Sequence, residues 1–490
     1  MQQSGTAAAQ DALRFDKRFV ALAAVLLAGA FFVPPLFRGA VIALAIVAAV
    51  LSALPLGTRG LVFSTMIGLA TGIASVNLFA IGIFQGPITQ EFGWSQTEYA
   101  GVTLVGTVVT VVSSLYIGRW FDRQGVRYWA LVGVVLFAAA MISLYWLTDS
   151  LLHFYAVFAL MPIIGAGTSS IAYSRVIAAW FDRRRGQAFG AALAGIGIGG
   201  AVLSAYSQFL IGTVGWRGAY VGLGVLILVT LPLLFFKLRD SPAEVGLGLD
   251  GRSLDSGAEQ TTAASAAGAG AAAAGAAAAG AAAASAVPSL VGYTATESRR
   301  QPRFWLMFFS FLLLAFGIGG VLIPLVPILR ARGIDPEQAA AVQGALGLAL
   351  IVGRAFAGFL MDRFHAPLVA AAILAFPVIG VSLLALDASG LTALVAAICI
   401  GLAAGAELDV VAVLVTRYFG NLSYAENYGW QYAAWTFGSG TAVIVTNRVY
   451  DVLGTHTPAL WVYVGLFVVS ALLILRLGRY PELPRVKRSL

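Results

Sequence analysis

The chain has 490 residues, of which 60% are hydrophobic and only 11% are charged, and its mean hydropathy is +0.89. Because soluble domains carry about a quarter charged residues, this composition excludes an ordinary water-soluble protein. The single cysteine, Cys399, excludes a disulfide framework, and the three histidines are too far apart in sequence to indicate a zinc centre. We therefore expect an all-α polytopic membrane protein with no metal, no cofactor and no enzymatic activity.

Apolar runs long enough to cross a bilayer as helices, about 20 residues each, recur from end to end. The core runs are 61–84, 99–118, 128–147, 151–174, 187–211, 217–236, 304–328, 338–360, 367–386, 391–414, 426–447 and 457–475. Two shorter runs, 19–36 and 40–56, precede them. The first follows Lys17-Arg18 and could be a secretory signal, but the second follows at once, which favours a helical hairpin. The sequence thus predicts fourteen spans.

A hydrophilic and low-complexity stretch divides the core spans into six plus six. Its middle, 261–286, is almost entirely alanine with scattered glycine and serine, which favours a partly helical tether over a further span. The predicted division is a tail at 1–18, the hairpin at 19–57, a six-helix bundle at 58–238, the linker at 239–302, a second six-helix bundle at 303–476 and a basic tail at 477–490.

The basic residues predict the orientation of the spans. With the amino terminus in the cytoplasm, few basic residues lie in outer loops; they are Arg38, Arg217, Arg330, Arg332 and Arg448. This asymmetry is typical of the positive-inside rule. The net charge of +8 is therefore explained by topology in a lipid bilayer, and nucleic acid is not expected as a partner. We expect a multi-pass protein of the cell inner membrane with both termini in the cytoplasm.

A short motif occurs at equivalent places in the two halves. It reads Gly-x-x-x-Asp-Arg at 118–123, after the second core span, and again at 358–363, after the eighth. The glycine allows two helix ends to approach closely, and the charges can pair across the cytoplasmic face. The candidate gating residues are Gly118, Arg119, Asp122, Arg123, Arg127, Gly358, Asp362 and Arg363.

This repeat resembles the cytoplasmic loop signature of the major facilitator superfamily. The resemblance covers the twelve core spans and implies two six-helix bundles around a central cavity, a substrate site near the midplane and alternating access by rocking of the halves. The second copy departs from the signature at His365, where a glycine is usual, so we expect a looser contact in that half.

Three charges lie well inside spans, away from their ends, where charge is costly and normally faces a cavity or a partner. Arg354 is in the eighth core span, and Glu407 and Asp409 are at a similar depth in the tenth. One interpretation is a purely structural ion pair. The other is a switch in which the arginine binds a substrate carboxylate in one state and an internal carboxylate in the other, with the acidic residues carrying a proton.

Further motifs resemble the monocarboxylate transporter branch of the superfamily. They are 180–190 with the following Gly215-Trp216-Arg217, 92–95 after the first core span, and Gly353-Arg354. In that branch the arginine is implicated in binding the substrate carboxylate. The oxalate–formate antiporters share Asn427-Tyr428-Gly429 but carry a lysine where this chain has Trp435. A single cation beside a bulky aromatic favours a monoanion, unless Arg175 faces the cavity rather than the cytoplasmic edge.

Other polar residues inside spans could hydrogen-bond a substrate or join helices to one another. They are Asn77, Gln85, Tyr173, Gln431 and Tyr432. The sequence predicts a monomeric, proton-coupled carrier of a small organic carboxylate, similar to lactate or pyruvate. The alternatives are a dicarboxylate antiporter, an exporter of larger amphiphiles and a membrane sensor of organic acids.

Overall fold

The structure, a computed structural model, describes residues 51, 54–77, 81–251, 290–386 and 389–486. The predicted hairpin at 19–57 and the middle of the linker lie mostly outside these residues. Within them the chain is almost entirely helical; β-structure is limited to one two-stranded pairing and one isolated bridge.

The helices that precede the linker contain the first six core spans. They are α1 (Leu56–Ala70), α2 (Ile73–Ser75), α3 (Ile81–Phe92), α4 (Gln96–Gln124), α5 (Arg127–Ser143), α6 (Leu151–Ile164), α7 (Ser170–Trp180), α8 (Arg185–Val229) and α9 (Leu231–Lys237). Short 3-10 turns lie at Leu144–Trp146, Ala166–Thr168, Pro242–Val245 and Leu249–Gly251. We refer to α1–α9 as the N-terminal half.

The helices from Ala295 onwards contain the other six core spans. They are α10 (Ala295–Arg300), α11 (Pro302–Leu322), α12 (Leu325–Ala331), α13 (Pro336–Arg363), α14 (Ala366–Ala385), α15 (Gly390–Phe419), α16 (Tyr424–Leu453) and α17 (Thr457–Leu475). The strands are β1 (Leu290–Val291) and β2 (Arg485–Val486). We refer to residues 290–486, which contain α10–α17 and both strands, as the C-terminal half.

In the part of the chain that the structure describes, nine helical segments are long and apolar enough to cross a membrane, and α6 is a shorter apolar helix. The helix α16 is not among the nine, because polar residues recur along its whole length and no stretch of it is apolar enough. The multi-pass architecture is therefore established, while the total of fourteen spans stays a prediction.

Several spans are interrupted rather than continuous. The first leaves the helix at Thr71 and Gly72, and the fourth at Gly165. The two breaks meet, since a Cβ at Gly72 would overlap the carbonyl oxygen of Thr168, and the Thr168 hydroxyl accepts a hydrogen bond from the Ile73 amide at 3.2 Å. A backbone donor freed in lipid must be satisfied in this way. The fifth and sixth spans are joined in α8, with a kink at Gly215, where φ is 75°.

The two halves join along two helix pairs. The helix α4 packs on α16, and α8 packs on α13. Close approach is concentrated near the ends that carry the repeated motif: added Cβ atoms at Gly118 and Gly358 would overlap the backbone of Ala425 and Gly186 respectively. We call the membrane face on which the two motif copies lie the motif face. The structure is closed there.

The end of the linker and the end of the chain form a strap on the motif face of the C-terminal half. The strands β1 and β2 pair antiparallel, and the Asn421 amide donates to the carbonyl of Val291 at 2.8 Å. Further along, the Tyr480 hydroxyl accepts a hydrogen bond from the Ala366 amide at 2.8 Å, and its ring packs on His365 with centroids 4.5 Å apart. The strap therefore ties both ends of this half to its interhelical loops.

Candidate functional site

The first motif copy acts on the N-terminus of α16. The two oxygens of the Asp122 carboxylate accept the backbone amides of Ala425 and Glu426, at 3.1 and 2.9 Å. A negative charge is favourable at a helix N-terminus, where amides are unpaired and the helix dipole is positive. The Arg175 Nε lies 3.3 Å from the same carboxylate. Arg175 is thus part of the motif-face contact and pairs with Asp122 rather than standing as a second cation.

Of the three arginines of this copy, only Arg119 makes an ion pair with the other half. Arg119 pairs across the halves with Glu426 at 3.0 Å, and Arg299 of α10 reaches the same carboxylate at 2.8 Å. Arg127 instead donates to the carbonyl of Phe235 at 3.0 Å, within its own half, and Arg123 is exposed. The sequence did not single out Glu426, although it directly precedes the Asn-Tyr-Gly motif.

The second motif copy repeats the arrangement in the opposite direction. The Asp362 carboxylate accepts the amides of Gly186 and Gln187, at 2.6 and 2.9 Å, at the start of α8. The Arg363 guanidinium lies over the Phe359 ring, 4.0 Å from its centroid. The pairing of Asp362 with α8 is complete even though His365 replaces the usual glycine, because the imidazole turns towards the tail and packs on Tyr480. The expected loosening is not seen in these contacts.

Two of the three intramembrane charges, Arg354 and Asp409, lie at the seam between the halves. Arg354 is 3% exposed and Asp409 is fully buried, and the Arg354 Nε is 3.9 Å from Asp409 Oδ2. An Arg354 Nη1 hydrogen also reaches the carbonyl of Leu193 in the N-terminal half. The distance of 3.9 Å is too long for a hydrogen bond, and both Asp409 oxygens lack a donor among the described residues. The ion pair is buried but incompletely satisfied.

Glu407 faces differently from Asp409, because residues two apart on a helix point to nearly opposite sides. Its side chain borders a small apolar cavity inside the C-terminal half, together with residues of α11, α14 and α17. It also lies beside Trp435 and within the electrostatic reach of Arg354. The two acidic residues are therefore not equivalent: one faces the cation at the seam and the other faces the bundle interior.

The other predicted binding residues occupy varied places. Tyr173 is buried in the N-terminal half against Gly68, and Gln85 lies on α3, which packs on its own half. Gln431 donates weakly to the carbonyl of Phe304, at 3.4 Å. Asn77, at the end of the segment after α2, has an amide oxygen without a partner within the described ranges. These four are not gathered around Arg354 by any contact that the structure records.

Trp435 and Tyr432, by contrast, belong to one stacked column on α16. Successive rings of Tyr424, Tyr428, Tyr432 and Trp435 have centroids 5.6, 6.2 and 5.6 Å apart and lie within 25° of parallel. Residues three and four apart share a helix face, so the column follows directly from this spacing.

No group of three metal-ligating side chains occurs in the described part of the chain.

The sequence profile described as Major Facilitator Superfamily matches residues 67–443 and 307–489. The chain belongs to the major facilitator superfamily. The fold agrees with this membership: a proton:xylose symporter bound to 6-bromo-6-deoxy-D-glucose is similar over 86% of this chain and 96% of that chain, with a TM-score of 0.64 and 16% identity. The human organic anion transporter MFSD10 is similar over 86% of this chain and all of that chain (100%), with a TM-score of 0.58 and 17% identity.

Relatives by sequence are also transporters. The gallate transporter of Pseudomonas putida is 24% identical over 400 residues, 80% of this chain and 86% of that protein. Monocarboxylate transporter 11 of Mus musculus is 29% identical over 178 residues, and monocarboxylate transporter 12 of Xenopus laevis is 25% identical over 285 residues. The matches span only 40% and 55% of those two proteins. These relatives are thus named for the transport of carboxylates.

Proposed function

We propose that this major facilitator is a proton-coupled carrier of a monocarboxylate in the cell inner membrane, working as a monomer by alternating access. In this proposal the motif face is cytoplasmic, as are both termini, and the organic anion and the proton move together. The observation that carries the proposal is the buried Arg354, which lies at the seam between the halves and pairs only loosely with Asp409.

The loose pair suits an exchange of partners. A guanidinium binds a carboxylate best in a planar two-bond geometry, and the 3.9 Å separation from Asp409 does not provide it. When the halves part at the seam, an incoming carboxylate takes both bonds and frees Asp409. A freed carboxyl in a low-dielectric site favours its neutral form, so substrate binding and proton uptake become linked. Glu407, beside Trp435, supplies a second protonatable group behind the site.

The placement of Arg175 supports a monoanion over a dianion. Its guanidinium is occupied at the motif face by Asp122, at 3.3 Å, so of these two arginines the proposal assigns Arg354 to the substrate. The names of the relatives point to the same class, because two are named for monocarboxylates and gallate is itself a carboxylate.

The test is uptake by the purified full chain in proteoliposomes, with labelled lactate and labelled benzoate, with and without an inwardly directed proton gradient. We expect gradient-stimulated uptake of a monocarboxylate by the wild type and its loss, by at least a hundredfold, in Arg354→Gln. The matched control is Arg448→Gln, which removes an exposed arginine from the far part of α16. Uptake retained in Arg354→Gln, or absence of uptake of either anion by the wild type, would contradict the proposal.

A further inference from the structure

A cavity of about 310 Å³ lies at the end of the C-terminal half that is remote from the motif face. It is bounded by the end of α12, the turn before α15 and the turn between α16 and α17. The helix α16 begins on the motif face and has 30 residues, so its last residue, Leu453, reaches the opposite face. Roughly 27 Å of helix separates Arg354 from the start of α13. The cavity is therefore separate from the seam around Arg354.

Two basic groups line this cavity. Arg332 is one of the few basic residues of the predicted outer loops, and its Nη1 donates to the carbonyl of Leu384, which holds the guanidinium at the cavity wall. His456 lies in the turn before α17, and its ring stacks on that of Tyr450 with centroids 4.3 Å apart and an interplanar angle of 15°. Burial, and after it the charge of Arg332, lower the pKa of His456. The guanidinium and the imidazole are thus within electrostatic reach of each other.

The imidazole of His456 is buried without being satisfied. It is only 6% exposed, yet its Nδ1 has no hydrogen-bond partner within the described ranges, although buried polar side-chain atoms normally have one. One water takes up about 30 Å³, so the cavity beside the ring is far larger than a single water needs and reaches the lower end of the range for ligand sites. The nitrogen and the space beside it together indicate a bound molecule larger than water.

The helix ends around the cavity favour a negative charge in it. The helix α15 begins directly after Ser389, and α17 begins directly after His456, whose side chain does not cap it. Helix N-termini attract anions through their unpaired amides and their dipole. At the end of α16 the Gly454 amide donates to the carbonyl of Tyr450 at 2.8 Å, so that carbonyl is bonded within its own helix end. Among the described residues that line the cavity, none is acidic.

We propose that this cavity binds a small oxyanion of the phosphate class, at a site separate from Arg354. The guanidinium of Arg332 and the Nδ1–H of His456 bind its oxygens, and the N-termini of α15 and α17 add positive potential. The bound anion thereby joins the end of α12 to the turn between α16 and α17. This inference goes beyond the proposed function and does not depend on which substrate is carried. Free phosphate and the phosphate of a phospholipid headgroup have the same chemistry here.

The binding experiment is equilibrium dialysis of the full chain, purified in a phosphate-free detergent, against radiolabelled inorganic phosphate. We expect one saturable site, with a Kd that rises about tenfold or more in His456→Phe, which keeps the ring stack but lacks the nitrogen. Arg332→Gln should weaken binding at least as much. The matched control, Arg330→Gln, removes an exposed arginine from the same helix end that is not part of the cavity wall, and it should bind as the wild type does. Arg354→Gln should also retain binding.

Absence of saturable binding by the wild type would overturn the inference, as would an unchanged Kd in His456→Phe that elutes as a monodisperse protein in gel filtration. Loss of binding in Arg354→Gln would place the phosphate at the seam and would overturn it as well. These outcomes do not touch carboxylate uptake, which tests the proposed function separately.

The source of the oxyanion is identified by repeating the dialysis in phosphatidylcholine nanodiscs with and without phosphatidylglycerol, at equal ionic strength. Loss of phosphate binding when phosphatidylglycerol is present assigns the site to a lipid headgroup. Undiminished binding assigns it to a free anion, and either result supports an oxyanion site at Arg332 and His456.

Discussion

Replacing Asp122 with asparagine should open the motif face. The carboxylate accepts the amides of Ala425 and Glu426, at 3.1 and 2.9 Å, and pairs with Arg175 at 3.3 Å. The amide of asparagine offers one oxygen, so one of the two amides loses its acceptor, at a cost of about 1–1.5 kcal/mol. Loss of the partly buried ion pair adds about 0.5–1 kcal/mol. The closed state therefore loses about 2 kcal/mol, which is about a thirtyfold shift in its equilibrium with the open state.

Distances between spin labels measure this shift. Cysteines at Gln124 and Phe364, both exposed on the motif face, carry the labels in a Cys399→Ser background, and pulsed dipolar spectroscopy records the distribution. Asp122→Asn should enlarge the long-distance component.

Asp250→Asn is the matched control for this substitution. Its carboxylate accepts the amides of Asp182 and Arg183, each at 3.1 Å, so it caps the turn between α7 and α8 and makes no recorded contact with the C-terminal half within the described residues. The control should leave the distribution unchanged. Identical distributions for the wild type and Asp122→Asn would refute the argument that this carboxylate holds the halves together.

Two further substitutions test the same face. Gly118→Ala should separate α4 from α16, because the added Cβ would overlap the carbonyl of Ala425, and the spin-label distance should therefore lengthen. The control Gly82→Ala, with nothing within 4 Å of its Cβ position, should leave that distance unchanged. An unchanged distance in Gly118→Ala would contradict the close approach of the two helices. Tyr480→Phe removes the acceptor of the Ala366 amide and should lower the free energy of unfolding by about 1 kcal/mol. The measurement is the melting temperature of the detergent-purified protein, which should fall. An unchanged melting temperature would show that this hydrogen bond of the strap does not contribute to stability.

The fold was readable from the sequence because lipid imposes simple rules. Apolar runs must be helices, and a motif repeated at 118–123 and 358–363 indicates two related halves. The interruptions were less visible: the break at Gly72 depends on Thr168, which satisfies a freed amide across almost a hundred residues of chain. Hydropathy averages over such a break, so the first and fourth spans were predicted as continuous.

The candidate site was readable in part. Charge inside a span is rare enough to single out Arg354 and Asp409, and the structure places them 3.9 Å apart. Whether they serve transport stays a prediction. Their partners were not readable, because the Leu193 carbonyl is a backbone group supplied by the other half. The pairing of Arg175 with Asp122 was likewise hidden, since it depends on how two helices of one bundle lie against each other.

The strap joins the beginning of the C-terminal half to its end through the β1–β2 pairing. Residues entering α11 and residues leaving α17 meet in the β1–β2 pairing, so the path through that half does not depend on the alanine-rich residues that precede β1. A reporter domain inserted among residues 261–286 would lengthen the connection between the halves and leave the β1–β2 pairing intact. A fusion placed directly after Val486 would instead pull on β2, which forms that pairing.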